Sequence, residues 1–540
     1  MYSHCCGFVN YGMFWRMKAH RWLACIGVFG FVVWFAPASF SGEILWNNSL
    51  THSTDLAGSS GAGLLAGELG LAFAVTNAGE SAVRIFPLPV ERLRNRYVFL
   101  NAEVKAENVS AKPNPWNGIK VMARIDTPDG TQWPQPEIPT GSFDWRNYSR
   151  RLLIPANATA VSLILGLENV SGKVWFRTVR LDLAREVTDL PAAPTNAPIF
   201  TGHTQPRLRG AMVSPDTLTE SDLTVLARDW GANVIRWQLI RYGADAADNS
   251  PEKYDRWLGR QLEQLDRGLA WAAKLGVEVV VDLHSPPGGR PISGGGYQAA
   301  IGSLWTDTNA QTHFIDVWRT IAKRYRGDQR IWGFDLVNEP ADENVAEGCD
   351  DWQTLAMRAG QAVRGMDPHR TLIVEPADWG SASGFIGFHP LALANVVYSF
   401  HIYDPPTFTH QGVFSPSPPV AYPGQIDGAW WDKSALARAI APATAFAARY
   451  RVQLYVGEFS VIRWAPGGEN YLSDLIDLME SHGWDWSYHA FREWDGWSVE
   501  HGPDKNDHAP SAVPTARKQV LLKWLGKNQT PAASKAKSEP

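Results

Sequence analysis

The sequence predicts two folded units in series: an all-β jelly-roll sandwich over residues 39–188 and an α/β unit, a (β/α)8 TIM barrel, over residues 200–527. Three observations predict them. From about Glu43 to Arg185 apolar residues alternate with period two, as in Tyr97-Val98-Phe99-Leu100-Asn101-Ala102-Glu103-Val104 and Ala160-Val161-Ser162-Leu163-Ile164-Leu165-Gly166-Leu167. Turn signals such as Pro128-Asp129-Gly130 and Val170-Ser171-Gly172 separate these runs, the pattern of short antiparallel strands packed as a sandwich. Residues 189–199 then carry Pro191, Pro194 and Pro198, which favour extended chain and read as a linker. Beyond the linker the period changes, and apolar runs alternate with amphipathic helical stretches.

The runs come in order: Leu208 to Val213, Val234 to Leu239, Val277 to Leu283, Ile331 to Val337, Leu372 to Val374, Val396 to Ile402, Val452 to Val456, and Trp486 to Phe491. The helical stretches between and after them are Glu220 to Asp229, Trp257 to Lys274, Ala310 to Tyr325, Trp352 to Val363, Ser434 to Tyr450, Tyr471 to Ser481, and Ala516 to Leu525. The stretch after the fifth run has the weakest helical pattern. Continuous apolar strands in βα alternation imply a parallel sheet covered on both faces. Eight such repeats fit a closed barrel. Residues 528–540, rich in Ala, Ser, Lys and Pro, read as a disordered tail.

The first 38 residues read as a cleavable signal peptide. Lys18 and Arg21 precede a short apolar run, Leu23 to Phe35, and Ala36-Pro37-Ala38 offers a small-x-small cleavage site. Met13 or Met17 could be the start of that signal. The expected location is secreted or periplasmic, with no stable membrane insertion once the signal is cut. Cleavage removes Cys5, Cys6 and Cys25 and leaves Cys349 alone, so no internal disulfide is expected. With 50 Lys and Arg against 55 Asp and Glu, the charge balance argues against nucleic acid as a partner. The 25 tryptophans suit either large cores or platforms that stack on sugar rings.

Catalytic groups of such barrels gather at the C-terminal ends of the strands. Read in order, those ends offer Arg236, then Asp282-Leu283-His284, Asn338-Glu339, Glu375-Pro376, His401-Ile402-Tyr403, Glu458 and Trp494. Glu339 and Glu458 each sit where an apolar run meets a loop. A carboxylate there is costly to bury without a partner or a role, and a pair of them is what acid-assisted displacement at a sugar carbon requires. The set Asn338-Glu339-Pro340, His284, His401, Tyr403 and Glu458, in this order and spacing, resembles glycoside hydrolase family 5, the cellulase family, over about residues 200–526.

That resemblance implies a retaining endo-acting β-glycosidase acting on a β-1,4-glucan polysaccharide, with Glu339 as acid/base and Glu458 as nucleophile. It also implies that Asn338 binds the sugar 2-hydroxyl and that Arg236 and Tyr403 orient Glu458. His284 and His401 would bind hydroxyls or tune Glu339, and Trp494 would stack under the sugar. Trp379 and Trp305 are candidate cleft walls. Glu375 and Glu493 are rival carboxylates, whereas Asp282 and Asp335 are expected to point into the barrel. No His or Cys spacing suggests a metal site, and no Gly-rich loop suggests a phosphate cofactor. β-Mannan or another β-glucan as substrate, transglycosylation, and a non-catalytic glycan-binding role remain alternatives. The amino-terminal unit is similar in pattern to carbohydrate-binding modules, with Trp116, Trp133 and Trp145 as candidate binding aromatics and Trp175 as core. A purely bracing role is its alternative. Oligomeric state is not legible.

Overall fold

The computed structural model describes residues 43–528 except 115, 129, 137, 187–202, 204–205, 242–249, 290–302, 343–344, 346–348, 387 and 414–416. The signal peptide, the linker and residues 529–540 of the tail lie outside the described residues.

Two antiparallel sheets form the amino-terminal unit. One runs in the order Leu64–Leu65, Leu71–Val75, Gly172–Glu186, Arg96–Val109, Gly141–Ile154, with Ile44–Asn48 also paired to Gly172–Glu186. The other runs Ser60–Gly61, Ala82–Leu88, Ala160–Glu168, Gly118–Thr127, Gly130–Gln132. Period-two alternation turns Val98, Leu100, Val104 and Val174 of the first sheet toward Val121, Leu163 and Leu165 of the second, all fully buried. Trp175 falls on the opposite face from its buried neighbours Val174 and Phe176 and is only half-buried. The expectation that it belongs to the core is therefore corrected by its parity in the strand.

Eight parallel strands close the second unit into a barrel: Arg209–Val213, Val234–Gln238, Glu278–Asp282, Ile331–Asp335, Thr371–Val374, Val396–Ile402, Leu454–Phe459 and Asp485–Phe491. The helix Pro251–Leu275 shows why the chain turns where it does. Proline opens its first turn, where no donor is lost, and Gly276 ends it at φ 70° in the left-handed region. Tyr254, Leu258, Leu262, Leu265, Leu269 and Ala272 are buried at three- and four-residue spacing.

Two helical expectations need correction. The stretch Ser434 to Tyr450 is two helices, Lys433–Ala439 and Ala441–Tyr450, because Pro442 cannot donate to a carbonyl of the preceding turn. Between the fifth and sixth strands the described chain makes only a 3-10 turn, Ala382–Phe385. Its Phe385 ring stacks on Phe446 at 4.5 Å, so the helix Ala441–Tyr450 packs against this turn.

Inside the barrel the layers change character with height. The lower layer is apolar: Leu208, Val234, Val280, Trp332, Ile373, Val397 and Tyr455 pack on one another. Above it the inward positions are polar and fully buried, with Arg236, Asp282, Asp335, Ser399 and Ser487 at 0% exposure. This polar plug carries the site.

Candidate active site

Arg236 is the hub. It projects inward from the second strand and meets four carboxylates: Glu458 at 2.7 Å, Asp335 at 2.9 Å, Glu375 at 3.0 Å and Asp282 at 3.1 Å. Its Nη2 also donates to Asn338 Oδ1 at 3.0 Å. A fully buried guanidinium is tolerable only with such partners. Burial pulls its pKa down, but the carboxylates raise it well above the ordinary value. Desolvation pushes Asp335 well above the usual carboxylate range, against the pull of Arg236. Asp282 and Asp335 thus point into the barrel interior.

Glu458 lies inside the seventh strand, beside His401 of the sixth in the parallel register. Gly457 makes room for that neighbour: a Cβ there would lie 2.8 Å from Ser399 Oγ and 3.0 Å from His401 Nε2. Arg236 Nη1 donates to Glu458 Oε1 at 2.7 Å, and Tyr403 OH donates to Oε2 at 2.9 Å. Burial alone would raise the Glu458 pKa; His401, His489 and Arg236 together hold it well below the ordinary value. Tyr403, half-buried beside Glu458, is pushed well up by desolvation and by that carboxylate and stays a phenol. It can therefore only donate to the carboxylate.

Glu339 is four residues past the fourth strand and takes a left-handed backbone at φ 47°. Such strain, about 1–3 kcal/mol, persists only where surroundings over-determine it. Glu375 supplies part of that constraint, since its Oε2 accepts from Glu339 N at 2.8 Å. The fifth-strand loop supplies more, with Trp379 N donating to Pro340 O at 3.0 Å. Trp379 is half-buried there. The Glu339 carboxylate faces His401 Nδ1 at 3.1 Å, while His401 Nε2 lies 3.2 Å from Glu375. His401 thus stands between Glu339 and Glu375: burial lowers its pKa, but Glu375 and Glu458 carry it well above the ordinary value. His284 differs. Its Nδ1 faces Asp282 at 2.9 Å and its Nε2 faces the Asn338 amide at 3.2 Å, a network that assigns Nε2 as the acceptor.

Donor atoms of Glu339, His401 and Glu458 all lie within 4.8 Å of one another. Two carboxyl groups this close suit a nucleophile and a proton donor on one glycosidic bond, and they are closer than the roughly 6.5–9.5 Å that accommodates an intervening water. The same three residues are the cluster, among the described residues, that could converge on a cation. The positive charges of His401 and Arg236 compete with any such ion.

Three placements differ from expectation or extend it. Trp305 is 1% exposed and packs edge-on against Trp352 at 6.3 Å, so it is core, not cleft wall. Trp494 stands edge-on to Trp464 and Trp497. It is Trp497 whose ring meets Tyr403, His410 and His489. Sequence reasoning missed His489, whose Nδ1 is 2.6 Å from Tyr403 OH and 3.6 Å from Glu458. The signal was present: Ser487 and His489 are polar at alternate positions on either side of the core residue Tyr488. Glu493, a rival carboxylate, instead accepts from Gln238 at 2.6 Å and pairs with His489 at 3.7 Å.

A closed βα barrel with paired carboxylates at the C-terminal mouth defines the glycoside hydrolase class. The chain belongs to the cellulase family, glycosyl hydrolase family 5, which it matches over residues 192–495. It is 28% identical over 302 residues to endoglucanase C of Acetivibrio thermocellus, spanning 50% of this chain and 84% of that protein. It is 26% identical over 253 residues to cellodextrinase A of Ruminococcus flavefaciens, spanning 45% and 68% respectively. Among solved structures, endoglucanase Cel5A of Thermotoga maritima aligns with 59% of this chain and 96% of its own, at TM-score 0.44 and 22% identity.

Proposed function

We propose that this chain is an endo-acting β-1,4-glucan hydrolase that retains anomeric configuration, with Glu458 as nucleophile and Glu339 as acid/base. The observation that carries the reading is the asymmetry of the close pair. Glu458 is gripped by Arg236 and Tyr403 and held ionised, whereas Glu339 is partly exposed beside His401. Glu458 attacks the anomeric carbon while Glu339 gives a proton to the departing oxygen. Once the glycosyl ester forms, Glu458 no longer carries charge. Glu339, left ionised by that donation and relieved of a negative neighbour, then takes a proton from the incoming water. Asn338, anchored by Arg236 and His284, is available to the sugar 2-hydroxyl.

The test is a panel of β-1,4-glucan, mixed-linkage β-glucan and β-mannan, read by reducing ends and by the anomer first formed in NMR. Fastest release from β-1,4-glucan with the β-anomer first is expected. Preference for mannan would reassign the substrate, and the α-anomer first would refute retention. Glu458→Gly should lose hydrolysis yet build oligosaccharides from an α-glycosyl fluoride; normal turnover in it would remove Glu458 from the mechanism.

The reading extends to polysaccharide binding by the sandwich. Trp116 and Trp133 are 62% and 50% exposed, and Gln135, two residues past Trp133, donates to the Trp116 carbonyl at 3.2 Å. Two neighbouring open indoles suit a glucan chain. Replacing both by alanine should weaken retention on insoluble cellulose and spare soluble substrate. Unchanged retention would leave the sandwich a brace. Export with cleavage after Ala38 completes the reading, and amino-terminal sequencing of the exported protein tests it.

A further inference from the structure

The outward face of the sandwich sheet is not idle. Tyr97 and Phe99 lie on Arg96–Val109, opposite Leu153 and Arg151 of Gly141–Ile154. All four turn away from the sandwich core, whose members are their neighbours Val98, Leu100, Leu152 and Ile154. Yet Phe99 is buried, and the Arg151 side chain is only 10% exposed. Arg151 reaches across to the barrel. Its Nη2 meets Asp342 Oδ1 at 2.5 Å, and its Nη1 meets Asp351 Oδ2 at 3.1 Å. Its guanidinium also lies over the Tyr97 ring at 5.1 Å. Tyr97 OH donates to Ile386 O at 2.7 Å.

Both contacts land on segments that hold the site. Asp342 is three residues past Glu339, on the same loop, and is nearly fully buried. Its other oxygen accepts from Trp352 N at 2.8 Å, and Trp352 Nε1 donates to Glu375 O at 2.7 Å. Glu375 in turn accepts from Glu339 N. Asp351 also caps the helix Trp352–Met366 by accepting from Thr354 N. Ile386 follows the fifth-strand turn, whose loop supplies Gly380 O to His401 N at 2.7 Å. The sandwich therefore grips the loop that carries Glu339 and the fifth-strand loop beside it, and a continuous path runs from Arg151 through Asp342, Trp352 and Glu375 to the Glu339 backbone. A two-armed guanidinium suits this work, because it fixes direction as well as distance.

We propose that the sandwich acts as a clamp on the proton donor, with Arg151 as a positioning residue that holds Glu339 in its strained, productive conformation. The inference rests on the reading of Glu339 as acid/base. Burial of the Arg151–Asp342 pair makes it far less sensitive to the screening that weakens surface pairs. The clamp touches the Glu339 side of the pair. The grip on Glu458 comes from Arg236 and Tyr403, inside the barrel and at its mouth, so loosening Arg151 should impair proton donation and leave nucleophilic attack intact.

That asymmetry has its own kinetic signature. Departure of phenol needs a proton, whereas 2,4-dinitrophenolate leaves unaided. In the full chain, Arg151→Ala should lower kcat/KM for phenyl β-cellobioside by about 10- to 100-fold, the scale of an ångström-sized misplacement. For 2,4-dinitrophenyl β-cellobioside kcat/KM should stay within about twofold, and added azide should raise its kcat by replacing water, which needs the base. Arg151→Lys, which keeps the charge and loses the fork, should fall between. Loss of both substrates in parallel, or of neither, would overturn the clamp. Where Arg151→Ala does not accumulate as folded protein, Arg151→Lys carries the same comparison. Glu339→Ala is the reference: if it lacks the leaving-group split, the acid/base reading fails; if it shows the split and the Arg151 variants do not, only the clamp fails.

Discussion

Glu375→Gln is the sharpest probe of how the site is held. The substitution keeps the outline of the side chain and turns one of two acceptors into a donor. Glu375 now accepts on both oxygens: Oε2 from Glu339 N at 2.8 Å and Oε1 from Arg236 Nη2 at 3.0 Å. Whichever way the amide turns, its NH2 faces a donor. Losing one hydrogen bond to a charged group costs about 1.5–3 kcal/mol. The charge is lost as well. At 3.2 Å from His401 Nε2, with an effective dielectric of about 20, the attraction is about 5 kcal/mol before Arg236 takes its share of the same oxygen.

The consequence depends on pH, and its sign follows from His401. Its folded pKa is raised above the ordinary 6.5 by Glu375 and Glu458 against burial. The stability it contributes is therefore fully present below that ordinary value and is lost as pH rises through the folded one. Weakening the raise makes the variant's deficit largest at low pH and smaller as pH climbs. Urea unfolding at pH 5 and at pH 8 measures both ends. Freed from its anchor, the Glu339 backbone should also relax, lowering kcat by about 10- to 100-fold. An equal deficit at both pH values, with kcat unchanged within about twofold, would refute the reasoning.

Three further outcomes are expected. Tyr403→Phe removes the hydroxyl 2.9 Å from Glu458 Oε2; the loss of about 1.5–3 kcal/mol should cut kcat/KM for 2,4-dinitrophenyl β-cellobioside by roughly 10- to 100-fold. Gly268→Ala should destabilise by about 1–3 kcal/mol in thermal unfolding, although alanine favours a helix by about 1 kcal/mol. The reason is that a Cβ there would lie 2.2 Å from the Trp237 ring. His410, held down to about 4 by burial, should stay neutral at pH 5 by imidazole NMR. As pH falls from about 6.5 to 4, the unfolded chain takes up a proton that the folded chain refuses. That costs up to about 3 kcal/mol of stability, and His410→Gln should flatten that limb.

Much of the barrel was legible because a parallel strand covered on both faces needs an unbroken apolar run, and eight such runs stand between helical stretches. The seventh was read too short. Leu454–Phe459 includes Glu458, and a charged residue interrupts the apolar signal even when the backbone continues its ladder. The role of Glu375 was not legible. Glu375-Pro376 and Glu339-Pro340 look alike in sequence, yet one carboxylate lies under the other's backbone. The contacts of Trp497 with Tyr403 and His489 were not legible either, because the chain turns back after Trp494 to bring that ring inward. Gly496 sits in that turn, where a Cβ would lie 2.4 Å from the Trp494 ring.

By itself the sequence determined the two units, the period of each strand, and the identity of the residues at the barrel mouth, because side-chain periodicity and polar rim positions are local properties of the chain. Only the tertiary structure decided which carboxylate is held ionised and which backbone is strained, since those follow from Arg236 and His401 on the second and sixth strands and Glu375 just past the fifth converging on one point. It alone joined Arg151 to Asp342, residues 191 positions apart. No local pattern encodes a charge pair made by the packing of one folded unit against another.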